Sequence, residues 1–169
     1  MRYLAEPFIL GALKRGRSVE QFLGPAGTPE RPGVRWVEIR PSRGSYEVYL
    51  HTALDCEPLT GDLDSLPPLF DDEEEDFGLL LATTSEPLAA MHAAESQTGA
   101  ALERWVNQSM AGDEYRDYVL AGRPATTPDD RPWPTPQSSA ARSATAETIS
   151  GTRYPALAWA PEAVAGGDR

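Results

Sequence analysis

The sequence predicts an α+β fold, in which a small antiparallel sheet of about three strands is covered by helices and followed by a disordered C-terminal tail. Two β-rich runs joined by a Pro-Ser-Arg-Gly turn occupy residues 34–52 and predict a hairpin. The run FGLLLATT at residues 77–84 is apolar on both faces, which is typical of a buried, central third strand. From residue 123 onward, the sequence is rich in Pro, Ala, Ser and Thr and has no sustained apolar period. This segment buries too little apolar area to offset its ordering entropy, which predicts disorder.

The length of the chain fits one domain. A chain of 169 residues is long enough for one substantial core and short for two. We therefore expect a single domain at residues 1–122 and a disordered tail at 123–169. Residues 154–164 (YPALAWAPEAV) are more apolar than a solvated tail needs, and they either dock on the domain or stay loose.

The N-terminal part of the chain predicts two short helices ahead of the hairpin. Residues 7–15 place apolar side chains at helical spacing, and Gly16 follows as a stop. The stretch Ser-Val-Glu-Gln at residues 18–21 matches a capping box, which predicts a second short helix. The proline-containing run 24–33 is expected to be a loop.

The predicted hairpin has one core face and one mixed outer face. A four-residue loop at 41–44 sets the register. The core face then carries Val37, Ile39, Tyr46, Val48 and Leu50. On the outer face, Trp36 lies opposite Tyr49 and Glu38 lies opposite Glu47. Either a helix or the tail covers this face, or Trp36 and Tyr49 anchor a protein partner.

After the hairpin, the sequence predicts a crossing loop and two or three helices packed on one face of the sheet. Residues 53–76 contain prolines and an acidic run, and they are too long for a hairpin turn. A helix is expected from Ser85 to about Gln97, and a second helical run reaches about Met110. Asp113 is expected to cap a last helix that ends before Gly122.

Cysteine content and the N-terminus indicate a cytoplasmic protein without membrane association. The single cysteine, Cys56, excludes an internal disulfide and gives no indication of an oxidising compartment. The N-terminal apolar run at 7–13 is short and interrupted, so it predicts neither a signal peptide nor a membrane span. Fourteen arginines against one lysine are typical of a GC-rich bacterial source.

The distribution of charge predicts a basic protein partner. The net charge is −11, and residues 44–103 contain fourteen acids with no Lys or Arg. Such dense like charge must be solvated or met by cations, and overall acidity argues against nucleic-acid binding. The candidate interaction residues are the acidic run and the two outer-face aromatics: Asp71, Asp72, Glu73, Glu74, Glu75, Asp76, Trp36 and Tyr49.

The sequence contains no motif that predicts catalytic, cofactor or metal-binding residues. Cys56 has His51 and His92 as conceivable bases, but its acidic neighbours would raise the pKa of the thiol. Histidine and cysteine spacing does not match a metal site, and neither Asp62-Leu-Asp64 nor the run 71–76 matches a calcium loop. We therefore expect no cofactor and no metal.

These observations favour a non-enzymatic protein that binds another protein through an acidic face, as an inhibitor or adaptor of the immunity-protein or antitoxin type does. One alternative is a structural or regulatory subunit of a larger assembly, which would expose an extended apolar patch. The other is an enzyme or small-ligand protein with a pocket between sheet and helices. The sequence leaves strand order, partner identity and oligomeric state open.

Overall fold

The computed structural model describes residues 2–56, 63–69 and 78–135, which form an antiparallel sheet with helices on both of its faces. The helices are α1 (Glu6–Lys14), α2 (Pro87–Thr98) and α3 (Ala111–Leu120). The strands are β1 (Val19–Gly27), β2 (Pro32–Ser42), β3 (Ser45–Leu54), β4 (Leu79–Thr84) and β5 (Val106–Asn107). Short 3₁₀ turns occupy Leu63–Ser65 and Leu102–Arg104.

The sheet has five strands in the order β4-β3-β2-β1-β5, and every pairing is antiparallel. The α+β class is confirmed, whereas the expectation of about three strands is wrong. The two additional strands are β1 and β5, both of which the sequence suggested were helical. Within the described residues, no helix has the length and apolar character needed to cross a membrane.

Strand β1 replaces the second predicted helix because both of its faces are buried. Val19 and Leu23 pack on one side of the sheet, and Phe22 packs on the other. A surface helix would bury only one stripe of side chains, whereas a strand between two layers buries both faces. Pairing with β2 also satisfies the backbone, so the local capping-box signal at residues 18–21 is overridden.

The β2–β3 hairpin is confirmed, but its register differs by two residues from the predicted one. Its turn has two residues, Arg43 and Gly44, whose φ angles are 38° and 91°. Two positive φ angles fit the type I′ turn that suits tightly twisted hairpins. Because a shift of two residues preserves the face of each side chain, the predicted core face still holds. Trp36 now lies opposite His51, and Glu38 lies opposite Tyr49.

Strand β4 lies at an edge of the sheet instead of its centre. Among the described strands it pairs with β3 alone, and Leu80 on it is 50% exposed. Its apolar sequence therefore reflects packing of one face against α2 rather than burial on both faces. Phe77, the first residue of the predicted strand, lies outside the described residues.

Two cores lie on opposite faces of the sheet, so the expectation of helices on one face is wrong. The α1/α2 core includes Ile9, Leu13 and Met91 together with the predicted core face of the hairpin. The α3 core lies on the outer face and includes Trp36 and Tyr115. A helix on each face is required because β1 and β2 carry apolar side chains on both sides.

The predicted helical run that reaches Met110 is also absent from the described structure. The chain there forms the turn Leu102–Arg104 and then β5. Trp105 lies in the α1/α2 core and Val106 in the α3 core. Adjacent side chains on opposite faces are the geometry of an extended chain, which explains why helical periodicity misled here.

The packed chain continues past the predicted boundary at Gly122. The ring of Trp133 lies 5.6 Å from the ring of Phe22, and its indole N–H donates to the carbonyl of Pro124. The Arg35 guanidinium donates to the carbonyl of Pro134 at 2.6 Å. Residues 123–135 thus cover part of the α3 core. Disorder and docking farther along the tail, including residues 154–164, lie outside the described residues and stay predictions.

Candidate functional site

A polar pocket of about 360 Å³ opens on the outer face of the sheet, and we call it the acidic pocket. It lies between β1, β2, the turn Leu63–Ser65 and the loop that precedes α3. Its lining residues are Gly16, Ser18, Glu20, Trp36, Glu38, Arg40, Pro41, Asp64, Gln108 and Ser109. Three carboxylates and one guanidinium among these residues give the lining a formal charge of −2.

Strand pairing brings two of the carboxylates together. Glu20 on β1 and Glu38 on β2 are direct partners in the antiparallel ladder. Opposed side chains in such a pair have Cβ atoms about 4.5–5.5 Å apart. Both residues are almost fully buried, at 9% and 7% exposure, so their charges are poorly screened by solvent.

The Glu38 carboxylate is held in its ionised form by polar neighbours. Arg40 donates to its two oxygens at 3.2 and 2.7 Å. The His51 Nε2 atom lies 3.3 Å away, within electrostatic reach but without good hydrogen-bond alignment. Burial by itself would raise the pKa of Glu38, but the interactions with His51, Arg40 and Ser18 outweigh it and lower that pKa to about 2.

The Glu20 carboxylate has a different environment and a different role. Burial raises its pKa, although backbone amides of Ser109 and Ala111 favour the charged form. Those amides donate to the two carboxylate oxygens at 2.8 and 3.4 Å. Glu20 therefore ties β1 to the first residues of α3, where unpaired helix amides need an acceptor.

A row of polar contacts continues from the acidic pocket along β3. The Arg40 guanidinium lies 4.9 Å from the centroid of the Tyr49 ring. The Tyr49 hydroxyl donates to Glu47 at 2.9 Å. The predicted pairing of Glu38 with Glu47 is wrong, because the observed register places Arg40 directly opposite Glu47.

The structure places the two predicted aromatic anchors on the same face but not in contact as a cross-strand pair. Trp36 is 6% exposed, lines the acidic pocket and stacks on His51 at 4.9 Å between ring centroids. Tyr49 is half-buried beside Arg40. The predicted acidic run 71–76 lies outside the described residues.

Each residue considered for nucleophilic or metal chemistry has its own described environment. Cys56 is half-buried just after β3, and His51 stacks on Trp36. His92 is exposed on α2. Across the ranges that the structure describes, no group of three or more His, Cys, Asp or Glu side chains is arranged to hold a metal ion.

A second concavity, of about 380 Å³, lies between α3, β1 and residues 123–135, and we call it the aromatic cleft. Its lining residues are Arg2, Tyr3, Phe22, Arg104, Glu114, Asp117, Tyr118, Ala121, Pro124, Pro128 and Trp133. The Arg104 guanidinium is buried at the wall of the cleft. It lies 5.2 Å from the Trp133 ring centroid and 3.6 Å from Glu114.

Among the described residues, one buried polar atom of the aromatic cleft lacks a hydrogen bond. The buried Nη1 of Arg104 has no partner within the described part of the chain. An unsatisfied buried donor costs on the order of 1–3 kcal/mol, and more when it is charged. The carboxylates nearby are better satisfied. The Phe22 amide donates to Glu114 at 3.4 Å, and Arg2 donates to Asp117 at 2.5 Å.

The sequence did not predict the acidic pocket, because its local patterns place Glu20 in a helix and Glu38 opposite Glu47. The local pattern gave no strand signal, because the apolar residues Val19, Phe22 and Leu23 have helical spacing; the Gly- and Pro-containing run at 24–33 fits a hairpin connection but does not by itself predict a strand. The contribution of Asp64 depends on tertiary packing and has no local signal.

In comparisons with protein-family models, curated proteins and solved structures, nothing matched this chain.

Proposed function

We propose that the protein is a non-enzymatic, cytoplasmic binding protein whose acidic pocket receives a basic side chain of a partner protein, so that it acts as an inhibitor or adaptor. The observation that carries this proposal is the pocket itself, whose described lining contains the carboxylates of Glu20, Glu38 and Asp64 and the guanidinium of Arg40. Two of these carboxylates project from paired strands of the sheet, so the pocket is largely preformed.

The chemistry of the pocket suits an arginine or lysine side chain. Glu38 keeps its negative charge at neutral pH because its pKa is about 2. Trp36 contributes an aromatic surface, and cations are attracted to the faces of such rings. A basic side chain in the pocket would therefore gain both charge-assisted hydrogen bonds and aromatic contact.

The overall charge supports the same partner at longer range. A net charge of −11 attracts a basic surface and raises its association rate. In this proposal the acidic run 71–76 steers the partner, and Tyr49 contacts it beside the pocket. The Arg40 guanidinium, whose side chain is 44% exposed, selects against partners that lack a compensating acid.

The opposite pKa shifts of Glu20 and Glu38 resemble those of a catalytic acid–base pair. Both Glu20 oxygens, however, already accept backbone amides that fix the start of α3. We therefore assign Glu20 a structural and electrostatic role.

The proposal is tested by affinity capture from the native host with the intact protein, Asp64→Asn and Glu86→Gln. Asp64→Asn removes one charge from the acidic pocket, and Glu86→Gln removes one exposed charge ahead of α2. A third variant neutralises residues 71–76. A captured partner is then purified, and its affinity is measured by calorimetry at two salt concentrations.

We expect a basic partner whose affinity falls at least ten-fold with Asp64→Asn and with the neutralised run, and stays within two-fold with Glu86→Gln. Raising the salt concentration should weaken binding, because part of the attraction is long-range. A partner that is indifferent to Asp64→Asn, or one that is acidic, would exclude recognition through the acidic pocket.

A further inference from the structure

We propose that the aromatic cleft binds a planar aromatic small molecule that carries an acceptor oxygen, such as a carboxylate or carbonyl group. This site is separate from protein recognition at the acidic pocket, because the two concavities share no lining residue among those described. The proposal therefore stands independently of the partner protein.

Aromatic rings form the walls of the cleft. Phe22, Tyr118 and Trp133 contact one another with ring centroids 5.5–5.6 Å apart, and Tyr3 joins them in the lining. Two of the three contacts, those made by Trp133, are edge-to-face at 78° and 87°. Apolar, aromatic walls around a few polar groups are typical of small-molecule sites, and a volume of about 380 Å³ accommodates a two-ring molecule.

The unpaired guanidinium atom decides which polar group the ligand carries. Arg104 lies against Trp133, and its Nη1 has no hydrogen-bond partner among the described residues. The acids of the cleft are already engaged: Asp117 by Arg2, and Glu114 by the Phe22 amide, Arg104 and Tyr3. An acceptor oxygen would satisfy this donor, whereas a cationic ligand would compete with donors already in place.

The wall that contains Trp133 is preformed by contacts within the chain. Gly24 lacks the Cβ atom that would lie 2.3 Å from the indole, so the ring packs directly on β1. The indole N–H donates to the Pro124 carbonyl at 3.0 Å, which fixes the orientation of the ring. A preformed wall reduces the entropic cost of ligand binding.

The experiment uses the intact protein and two probes with the same rings, 2-naphthoate and 2-naphthylmethylammonium. Binding is measured by calorimetry, and the site is located by amide chemical shifts in ¹⁵N NMR spectra. We expect 2-naphthoate to shift amides around the aromatic cleft and to bind at least ten-fold more tightly than the ammonium probe.

Two matched variants place the binding in the cleft. Ala121 lines the cleft and is exposed at the end of α3, so its substitution does not disturb the core. Ala121→Trp fills the cleft and should lower the affinity for 2-naphthoate at least ten-fold, whereas Ala121→Ser should leave it within two-fold. Amide spectra of both variants establish that they retain the fold.

Several results would overturn the proposal. These are the absence of 2-naphthoate binding at millimolar concentration, equal affinity for the two probes, a preference for the ammonium probe, or unchanged affinity in Ala121→Trp. Because the acidic pocket is tested with Asp64→Asn and a protein partner, failure of one proposal is distinguishable from failure of the other.

Discussion

At the scale of single residues, Glu38 shows how strand register sets the chemistry of a side chain. The carboxylate lies opposite Tyr49 and is bonded by Arg40 on its own strand. A register shifted by two residues would have placed it against Glu47, with a raised pKa as the expected consequence of like charge. The contact with Arg40 lies within β2, whereas the approach of His51 and the absence of an opposed carboxylate depend on the observed register.

Glu38 should contribute acid-sensitive stability. Its pKa in the folded protein is about 2, below the ordinary value of 4.5, so its contribution is complete above pH 4.5 and is lost as pH falls toward 2. The difference corresponds to about 3 kcal/mol. We expect Glu38→Gln to lower the free energy of unfolding at pH 7 and to flatten its decline between pH 5 and pH 2, as measured by urea denaturation.

The control for this prediction is Glu86→Gln, which alters an exposed carboxylate ahead of α2. That variant should retain the acid-dependent decline of the unmodified protein. Parallel stability curves for the Glu38→Gln variant and the unmodified protein would contradict the assignment of a low pKa to Glu38.

Gly24 should be far less replaceable than another glycine with similar backbone geometry. Gly24 and Gly16 have φ angles of 88° and 77°, so an alanine at either position costs about 1 kcal/mol in backbone strain. A Cβ at Gly24 would also lie 2.3 Å from the Trp133 ring, whereas a Cβ at Gly16 would meet no described residue within 4 Å. We expect Gly24→Ala to cost at least ~2 kcal/mol more than Gly16→Ala in thermal unfolding. Equal losses would mean that Trp133 does not pack on β1.

At the scale of secondary-structure elements, β1 organises contacts with both layers of helices. Its Gln21 side chain is fully buried and makes two hydrogen bonds, both of 2.8 Å, with the backbone of Ala101. On the next residue of β1, the Phe22 amide donates to Glu114 of α3, near a register shift between Phe22 and Gly24. Gln21 thus satisfies the backbone of Ala101 in the segment that follows α2, and Glu114 satisfies the Phe22 amide of β1. Both sets of backbone groups would otherwise be left unpaired.

The β2–β3 turn offers a stabilising substitution. Arg43 is exposed and has a φ of 38°, a conformation that asparagine tolerates better than other residues with side chains. We expect Arg43→Asn to raise the free energy of unfolding by about 0.5 kcal/mol in urea denaturation. Arg43→Ala removes the same charge without the conformational benefit and should give no increase. A similar increase in the free energy of unfolding of both variants would show that the effect comes from the loss of charge and not from turn geometry.

At the scale of the whole described unit, the α3 core depends on residues beyond the last helix. Residues 123–135 place Trp133 over Phe22 and Tyr118, and Arg123 forms an ion pair with Asp55 at 2.6 Å. The compact unit that contains both cores accordingly extends past α3 and includes residues 123–135. The α3 core therefore depends on residues 123–135, although the composition of this segment predicted disorder.

A chain that ends at Gly122 should be markedly less stable than one that ends at Ser138. Loss of Trp133 and of the Arg123–Asp55 pair removes cover from the α3 core. Because Trp133 is half-buried, we expect its loss to cost less than the ~3–5 kcal/mol typical of a fully buried Trp. Chemical denaturation of both chains and of Trp133→Ala measures the effect. Equal stability of the two truncated chains would show that residues 123–135 make no net contribution.

The site could be anticipated from the sequence only in outline. Net charge and the outer-face position of Trp36 and Tyr49 indicated an acidic interaction face with aromatic content. The pairing of Glu20 with Glu38 depends on β1 being a strand and on its register with β2. The buried guanidinium of Arg104 depends on contacts with Glu114 and Trp133, which are distant in sequence. No local pattern encodes such contacts.

The sequence by itself determined the α+β class, the β2–β3 hairpin and its core face, and helices near α1, α2 and α3. These features follow from local periodicity, turn residues and helix stops, which act over a few residues. The tertiary structure alone decided that β1 and β5 are strands, that β4 lies at an edge, and where the two concavities form. The physical reason is that burial on two faces and pairing between strands are satisfied over long range and outweigh local propensity.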